Sequence, residues 1–286
     1  MSVLEYLVPR SLPEAIGLLQ RHGSELLVMA GGTVAMPLIN DGISLPERVM
    51  SLRAAGLDRI ERRADELLIG AAATLSGLLA DETLALLREA AGSTASWPIR
   101  NLATVGGNLF TPPPGGDVGV ALLALDARVR LAGPGGARVL PLAEFWTGFM
   151  GTALAPDELL VEIVVPIAAR ETGYIKLGRK HANTPAVVTV AVALERTAGR
   201  VAVARIALGA AGPHPIRAAA AEAAITGTAL EPADIGRAVE AATAECRPFT
   251  DALATEWYRR RMIGVLVRRA LTGIAGQASE EREEDR

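Results

Sequence analysis

The stretch Ile99-Arg100-Asn101-Leu102-Ala103-Thr104-Val105-Gly106-Gly107-Asn108-Leu109, with Asp117 shortly after it, decides the reading of this chain. It sets paired glycines, a threonine, an asparagine and a carboxylate into a segment too small-residued to serve as a core element. Glycine has no side chain to hold a ligand away, so such a segment lets backbone approach a bulky polar molecule closely. Earlier, Leu27-Val28-Met29-Ala30-Gly31-Gly32-Thr33 repeats the idea as an apolar strand running into a Gly-Gly turn. Two such turns imply one extended, nucleotide-like ligand gripped at two points. Backbone amides suit a pyrophosphate, whereas Asn108 and Asp117 suit hydroxyls.

Working outward, residues 11–22 read as a helix that Ser11 caps, with Pro13 and Glu14 in its first turn. The strand Leu26–Met29, the glycine turn and a short helix through Met36 and Leu38 follow. That helix aims its positive end at whatever sits over the glycines. Segments 59–63 and 67–71 read as a hairpin, and Thr74 caps a helix through Leu79. Residues 118–125 read as a helix that Asp117 is placed to cap. Segments 128–131 and 138–140 form a strand pair around Gly133-Pro134-Gly135-Gly136, and a strand over 158–165 is stopped by Pro166.

After about residue 170 the texture changes. Strands are expected over 174–179, 186–195 and 200–210, then helices near 217–226, 231–245 and 255–274. In the last, Ile263, Val267, Ala270 and Ile274 keep one apolar stripe. Strands followed by helices indicate a separate α+β unit. The charged tail Glu280–Arg286 is expected to be disordered.

The chain has 286 residues, half of them hydrophobic and 21% charged, which allows two domains with real cores. A net charge of −3 without a basic stripe excludes nucleic acid as a natural partner. A single cysteine, Cys246, excludes an internal disulfide or a self-contained iron–sulfur cluster; it reads as a small buried side chain. His22, His181 and His214 lie too far apart in sequence to suggest a metal site or a catalytic triad, and His181 reads as a loop residue. With no signal-peptide pattern and no apolar run long enough for a membrane helix, a cytoplasmic protein is expected. There is no G-x-G-x-x-G, P-loop or G-x-S-x-G motif. Lys176 lies in a strand, either as a face residue or as a ligand contact. Arg259, Arg260 and Arg261 read as a solvated helix face.

Taken together, these residues resemble the FAD-binding medium subunits of the molybdenum hydroxylases, such as carbon monoxide dehydrogenase and xanthine dehydrogenase. Ala30-Gly31-Gly32-Thr33-Val34-Ala35-Met36-Pro37-Leu38 resembles that family's A-G-G-[TQH]-x-L-[LI]-P-L motif. The stretch from Ile99 to Leu109 resembles its I-R-N-x-A-T-[IV]-G-G-N-[IL], followed by an S-P-x-x-D counterpart ending at Pro114 and Asp117. Tyr174-x-Lys176 with Arg179, Pro213-x-Pro215-Ile216-Arg217, Tyr258-Arg259 and Arg268-Arg269-Ala270-Leu271 match in order, so the likeness runs over roughly residues 3–272.

The resemblance implies an α+β fold: a two-part FAD-binding domain of the vanillyl-alcohol-oxidase (PCMH) type over 1–169, with subdomains of about 1–55 and 56–169. A C-terminal α+β domain over 170–275, a three-stranded sheet plus helices, and a tail over 276–286 would follow. It implies noncovalent FAD, with Ala30 to Ala35 and Thr104 to Asn108 lining the diphosphate and ribityl chain. Met29, Ile99 and Pro114 flank these segments, Asp117 holds ribityl or ribose hydroxyls, and Lys176 lies near the flavin. No residue of the chain is expected to be catalytic in its own right.

By the same resemblance, a large molybdopterin subunit hydroxylates the substrate and a small subunit carries two [2Fe–2S] clusters. Electrons end on FAD and pass to NAD, a quinone or oxygen, in a dimer of three-subunit units. Val34 and Ala35, Pro113 and the run His181-Ala182-Asn183-Thr184-Pro185 depart from the family pattern. The rival readings are a stand-alone FAD oxidoreductase of the same superfamily and a flavin-free scaffold subunit.

Overall fold

The structure, a computed structural model, describes residues 5–180 and 183–284, with side chains as far as Gly276. His181 and Ala182 of the departing loop lie outside the described residues, as do the side chains of the charged tail.

The chain opens with a small parallel sheet. Strand β1 (Glu5–Leu7), helix α1 (Leu12–His22), strand β2 (Leu26–Met29), helix α2 (Ala35–Asn40) and strand β3 (Arg48–Ser51) follow in order, with β3 between β1 and β2. Ser11 caps α1 as its sequence requires, its hydroxyl accepting from the Glu14 amide at 3.3 Å. Ala15 and Leu19 of α1 bury against Leu26 and Met50 of the sheet.

The middle layer is an antiparallel sheet in the order β4-β5-β10-β6-β7, formed by β4 (Ile60–Arg63), β5 (Glu66–Gly70), β6 (Arg128–Gly133), β7 (Gly136–Pro141) and β10 (Leu159–Pro166). Between β5 and β6 come five helices: α3 (Leu75–Ala80), α4 (Ala85–Ser93), α5 (Trp97–Arg100), α6 (Val105–Leu109) and α7 (Asp117–Ala124). A short ribbon, β8 (Trp146–Gly148) with β9 (Gly151–Thr152), completes the layer.

The glycine-rich stretch is not the coreless loop its composition suggests. It forms the single-turn helix α6, and Val105 and Leu109 are both buried in the main apolar cluster. Spacing of four puts these two side chains on one face. Two large apolar residues suffice to anchor a turn that is otherwise built from small ones.

The C-terminal part is an antiparallel sheet of β11 (Glu171–Gly178), β12 (Ala186–Thr197) and β13 (Arg200–Gly209), extended by the two-residue strand β14 (Ile216–Arg217) beyond the three strands expected. Helices α8 (Ala219–Ile225), α9 (Pro232–Glu245) and α10 (Glu256–Glu284) cover it. Ile263, Val267, Ala270 and Ile274 of α10 are all buried, as the stripe requires, and the backbone of α10 continues helical to Glu284 although the charge run from Glu280 predicts disorder.

The arginine run on α10 is not uniformly solvated. Arg259 is fully buried, donating to the Val187 carbonyl and to Asp251 Oδ1, each at 2.6 Å. Its guanidinium lies over the Phe249 ring, 4.7 Å from the centroid. All three partners come from outside α10, which is why the local charge pattern misreads it.

Helix α7 joins the two halves. Every residue of it is buried, and it packs against both β12 and β13. Asp126, just past its end, pairs with Arg205 at 2.6 Å and Arg217 at 2.9 Å. Among the described residues, no helix is long and apolar enough to cross a membrane.

Candidate functional site

A cleft of about 930 Å³ opens where the parallel sheet, the middle layer and the start of the C-terminal sheet meet. That lies at the upper end for sites enclosing a large ligand. The sequence-derived candidates Met29, Ala30, Gly31, Gly32, Thr33, Val34, Ala35, Ile99, Thr104, Gly106, Gly107, Asn108, Asp117 and Lys176 all line it. Pro114 does not; the loop before α7 contributes Pro112, Gly115 and Gly116 instead. Thr94, Ala95, Leu159 and Leu160 also line the cleft and carry no signal in the local sequence.

The two glycine segments touch. A Cβ on Gly31 would run into the carbonyl of Leu102, so the first turn packs against the start of the second segment. Gly106 is as constrained, since a Cβ there would lie 2.6 Å from the Ala71 carbonyl oxygen.

Their amides have different fates. In the second segment the N–H groups of Val105, Gly106 and Asn108 donate to the carbonyls of Ala73, Ala71 and Thr104. That of Gly107 donates to Thr104 Oγ1 at 3.1 Å. In the first turn, the amides of Gly32, Thr33, Val34 and Ala35 find no acceptor among the described residues. Backbone donors left open along a cleft wall form an anion-binding concavity. The first turn therefore supplies the donors, and the second supplies a wall that backbone can approach closely.

Asn108 lines the cleft but commits its side-chain oxygen to the fold. Its side-chain oxygen accepts from the Val118 and Gly119 amides at 3.1 and 3.2 Å, satisfying the first turn of α7. Asp117 is thereby released from the capping role its position suggests. Its Oδ2 takes the Lys176 ammonium at 2.7 Å and its Oδ1 takes the Thr189 hydroxyl at 3.2 Å. Lys176 also donates to the Ser93 carbonyl at 3.0 Å.

Burial pushes the Asp117 carboxyl above its ordinary range, against the pull of Lys176 and Thr189. Burial, reinforced by the neighbouring Asp117 charge, drives the Tyr174 hydroxyl well upward, so it stays a neutral partner of Ser93. Cys246 is buried, and burial raises its thiol, so no nucleophile is offered there. Among the described residues, no His, Cys, Asp or Glu cluster is suited to a metal ion.

Residues 2–168 match the family described as the FAD binding domain in molybdopterin dehydrogenase, and residues 173–274 match the CO dehydrogenase flavoprotein C-terminal domain. The carbon monoxide dehydrogenase medium chain of Afipia carboxidovorans is 32% identical over 281 residues, covering 96% of this chain and 97% of its own length. The 6-hydroxypseudooxynicotine dehydrogenase complex subunit alpha of Paenarthrobacter nicotinovorans is 29% identical, covering 98% and 97%. A crystal structure of cyanide-inactivated Cu,Mo-CO dehydrogenase contains a chain that superposes with a TM-score of 0.91 at 31% identity, covering 96% of this chain and 98% of that one.

Proposed function

Because this chain belongs to the molybdopterin dehydrogenase FAD-binding family and is an oxidoreductase subunit of the medium-chain type, we propose that its cleft seats FAD noncovalently and relays electrons between partner subunits and an external acceptor. The observation that carries this reading is the row of open amides from Gly32 to Ala35 in a cleft large enough for a dinucleotide.

In this proposal those amides hold the diphosphate, while Gly106 and Gly107, packed against Ala71 and Thr104, form part of the wall beside it. Asp117 takes ribityl or ribose hydroxyls from its place in the ion pair, and Lys176 keeps a positive charge near the flavin. Bound FAD supplies the capacity to accept electrons and pass them on. The chain's contribution is placement, exclusion of water and a fixed local charge. Residues 1–169 form the FAD-binding domain in two parts, of about 1–55 and 56–169, and 170–275 form the C-terminal domain.

The partners proposed are a small subunit bearing [2Fe–2S] clusters and a large molybdopterin subunit. With a single cysteine, this chain cannot by itself supply the thiolates that such clusters need. The organic substrate belongs to the large partner. Relatives of nearly equal identity are named for carbon monoxide and for 6-hydroxypseudooxynicotine, so the substrate does not follow the medium chain. NAD, a quinone or oxygen serves as acceptor.

Native purification followed by denaturation tests the reading. Release of FAD near one per chain, with iron and molybdenum in co-purifying chains, is the expected result. A colourless chain that fails to take up added FAD overturns it.

A further inference from the structure

Helix α4 ends at Ser93, and its last carbonyls need partners that its own turns cannot supply. One of them, the Gly92 carbonyl, is met by a side chain from the next helix. Arg100, the last residue of α5, directs Nη1 at the carbonyls of Gly92, Thr94 and Ala95, at 3.2, 3.0 and 3.2 Å. A cation at a helix C-terminus is favourable in itself, and capping alone would account for one such contact.

Two further observations exceed capping. Arg100 Nε is buried without a hydrogen-bond partner among the described residues, a cost that the fold accepts to keep the guanidinium in place. The segment it grips is also part of the cleft. Thr94 and Ala95 line the wall, and Ala95 holds a left-handed backbone with φ of 51°, which a non-glycine residue adopts only under constraint. Ser93, between the gripped carbonyls, gives its own carbonyl to Lys176 Nζ at 3.0 Å, and its hydroxyl shares a hydrogen bond of 3.2 Å with the Tyr174 hydroxyl.

We propose that Arg100 is a positioning residue for the cofactor cleft: by fixing residues 92–95 it fixes the wall at Thr94 and Ala95 and the seat of the Lys176 ammonium. The assignment rests on FAD occupying this cleft. Arg100 itself does not line the cleft and acts only through the segment it holds. Lysine keeps the charge and three donors but lacks the rigid, planar guanidinium that aims Nη1 at these carbonyls, so it reproduces the role only in part.

The test is a double-mutant cycle on the full chain purified with its partner chains, stripped of flavin and titrated with FAD. Arg100→Gln is expected to weaken FAD binding about tenfold and to shift the flavin midpoint potential, a size typical of residues acting one step away from a site. Lys176→Met shifts both as well. In the double variant the two effects are expected to be less than additive, because they share one route.

Arg100→Lys, the variant better placed to keep its fold, is expected to fall between wild type and Arg100→Gln in both readouts. Full additivity, or wild-type affinity and potential in both Arg100 variants, overturns the proposal. Failure of the wild-type chain to bind FAD strikes the cofactor reading instead, so the two failures are distinguishable.

Discussion

The Asp117 carboxylate and the Lys176 ammonium meet at 2.7 Å across the junction of α7 and β11, both side chains less than a tenth exposed. A buried pair of this kind stabilises little by itself, but leaving either member alone costs a great deal. Lys176→Met strands the carboxylate and is expected to lower stability by about 3 kcal/mol near neutral pH. The sign of its pH dependence follows from burial. The folded-state value for Asp117 is raised above 3.8, so the folded state binds the proton more tightly than the unfolded chain does. The contribution from protonation is full below 3.8 and is lost as pH rises through the folded value. Losing Lys176 raises that value further and widens the window. Urea denaturation across pH should show the Lys176→Met deficit shrinking as the solution is acidified. A deficit that is constant with pH would refute this account.

Thr74 and Thr104 form a natural pair of controls. Each caps a short helix, its hydroxyl accepting from the amide three residues on, Gly77 at 3.0 Å and Gly107 at 3.1 Å. The two residues face each other in an isolated antiparallel bridge. Alanine at either position is expected to cost about 1 kcal/mol in stability. Only Thr104 lines the cleft, so only Thr104→Ala should also weaken FAD binding. Equal FAD affinities in the two variants would remove Thr104 from the site.

The glycines divide in the same way. Gly31→Ala drives a methyl into the Leu102 carbonyl and pushes the two cleft walls apart. Crowding of that kind costs about 1–3 kcal/mol, and here it should also reduce flavin content. Gly17, inside α1, meets nothing within 4 Å. Gly17→Ala is therefore expected to gain about 0.5–1 kcal/mol through helix propensity, with FAD binding unchanged. Thermal unfolding and flavin-to-protein ratio, measured on both variants, separate the two expectations.

The sequence makes the cleft more legible than its surroundings, and particular residues show why. Ala30–Ala35 and Thr104–Asn108 are readable because close backbone approach leaves a local mark, namely glycine. Asp117 and Lys176 are readable as polar residues in apolar company, but their meeting is a tertiary fact. Thr94 and Ala95 leave no mark, since their place in the wall is set by Arg100 and by the end of α4. The short strands β1 and β3 and helix α4 do not stand out either; three or four residues become a strand only when a neighbour pairs with them. Conversely, the small residues of α6 suggest a loop, whereas Val105 and Leu109 carry it into the core.

Arg259 is the other place where local reading fails, and it yields the last prediction. Its buried guanidinium is neutralised by Asp251, which also accepts from the amides of Leu253 and Ala254 at 2.9 and 3.0 Å. Partial burial pushes the Asp251 carboxyl up, but these amides together with Arg259 outweigh it and hold the group below 3.8. A depressed folded-state value means that the stabilisation is present above 3.8 and disappears as pH falls through the folded value. Asp251→Asn keeps the shape and the amide contacts but leaves Arg259 as a buried cation facing only a carbonyl and the Phe249 ring. The expected loss is about 3 kcal/mol at neutral pH, read from chemical denaturation. Wild type and variant should converge in acid, because there the wild-type carboxyl is protonated as well. The deficit thus runs opposite in origin to that of Lys176→Met: one variant removes the charge that acid would remove, and the other exposes a charge that acid would quench. FAD affinity should be unchanged in Asp251→Asn, since Asp251 does not line the cleft. A loss of flavin with stability intact would refute this separation of Asp251 from the cleft.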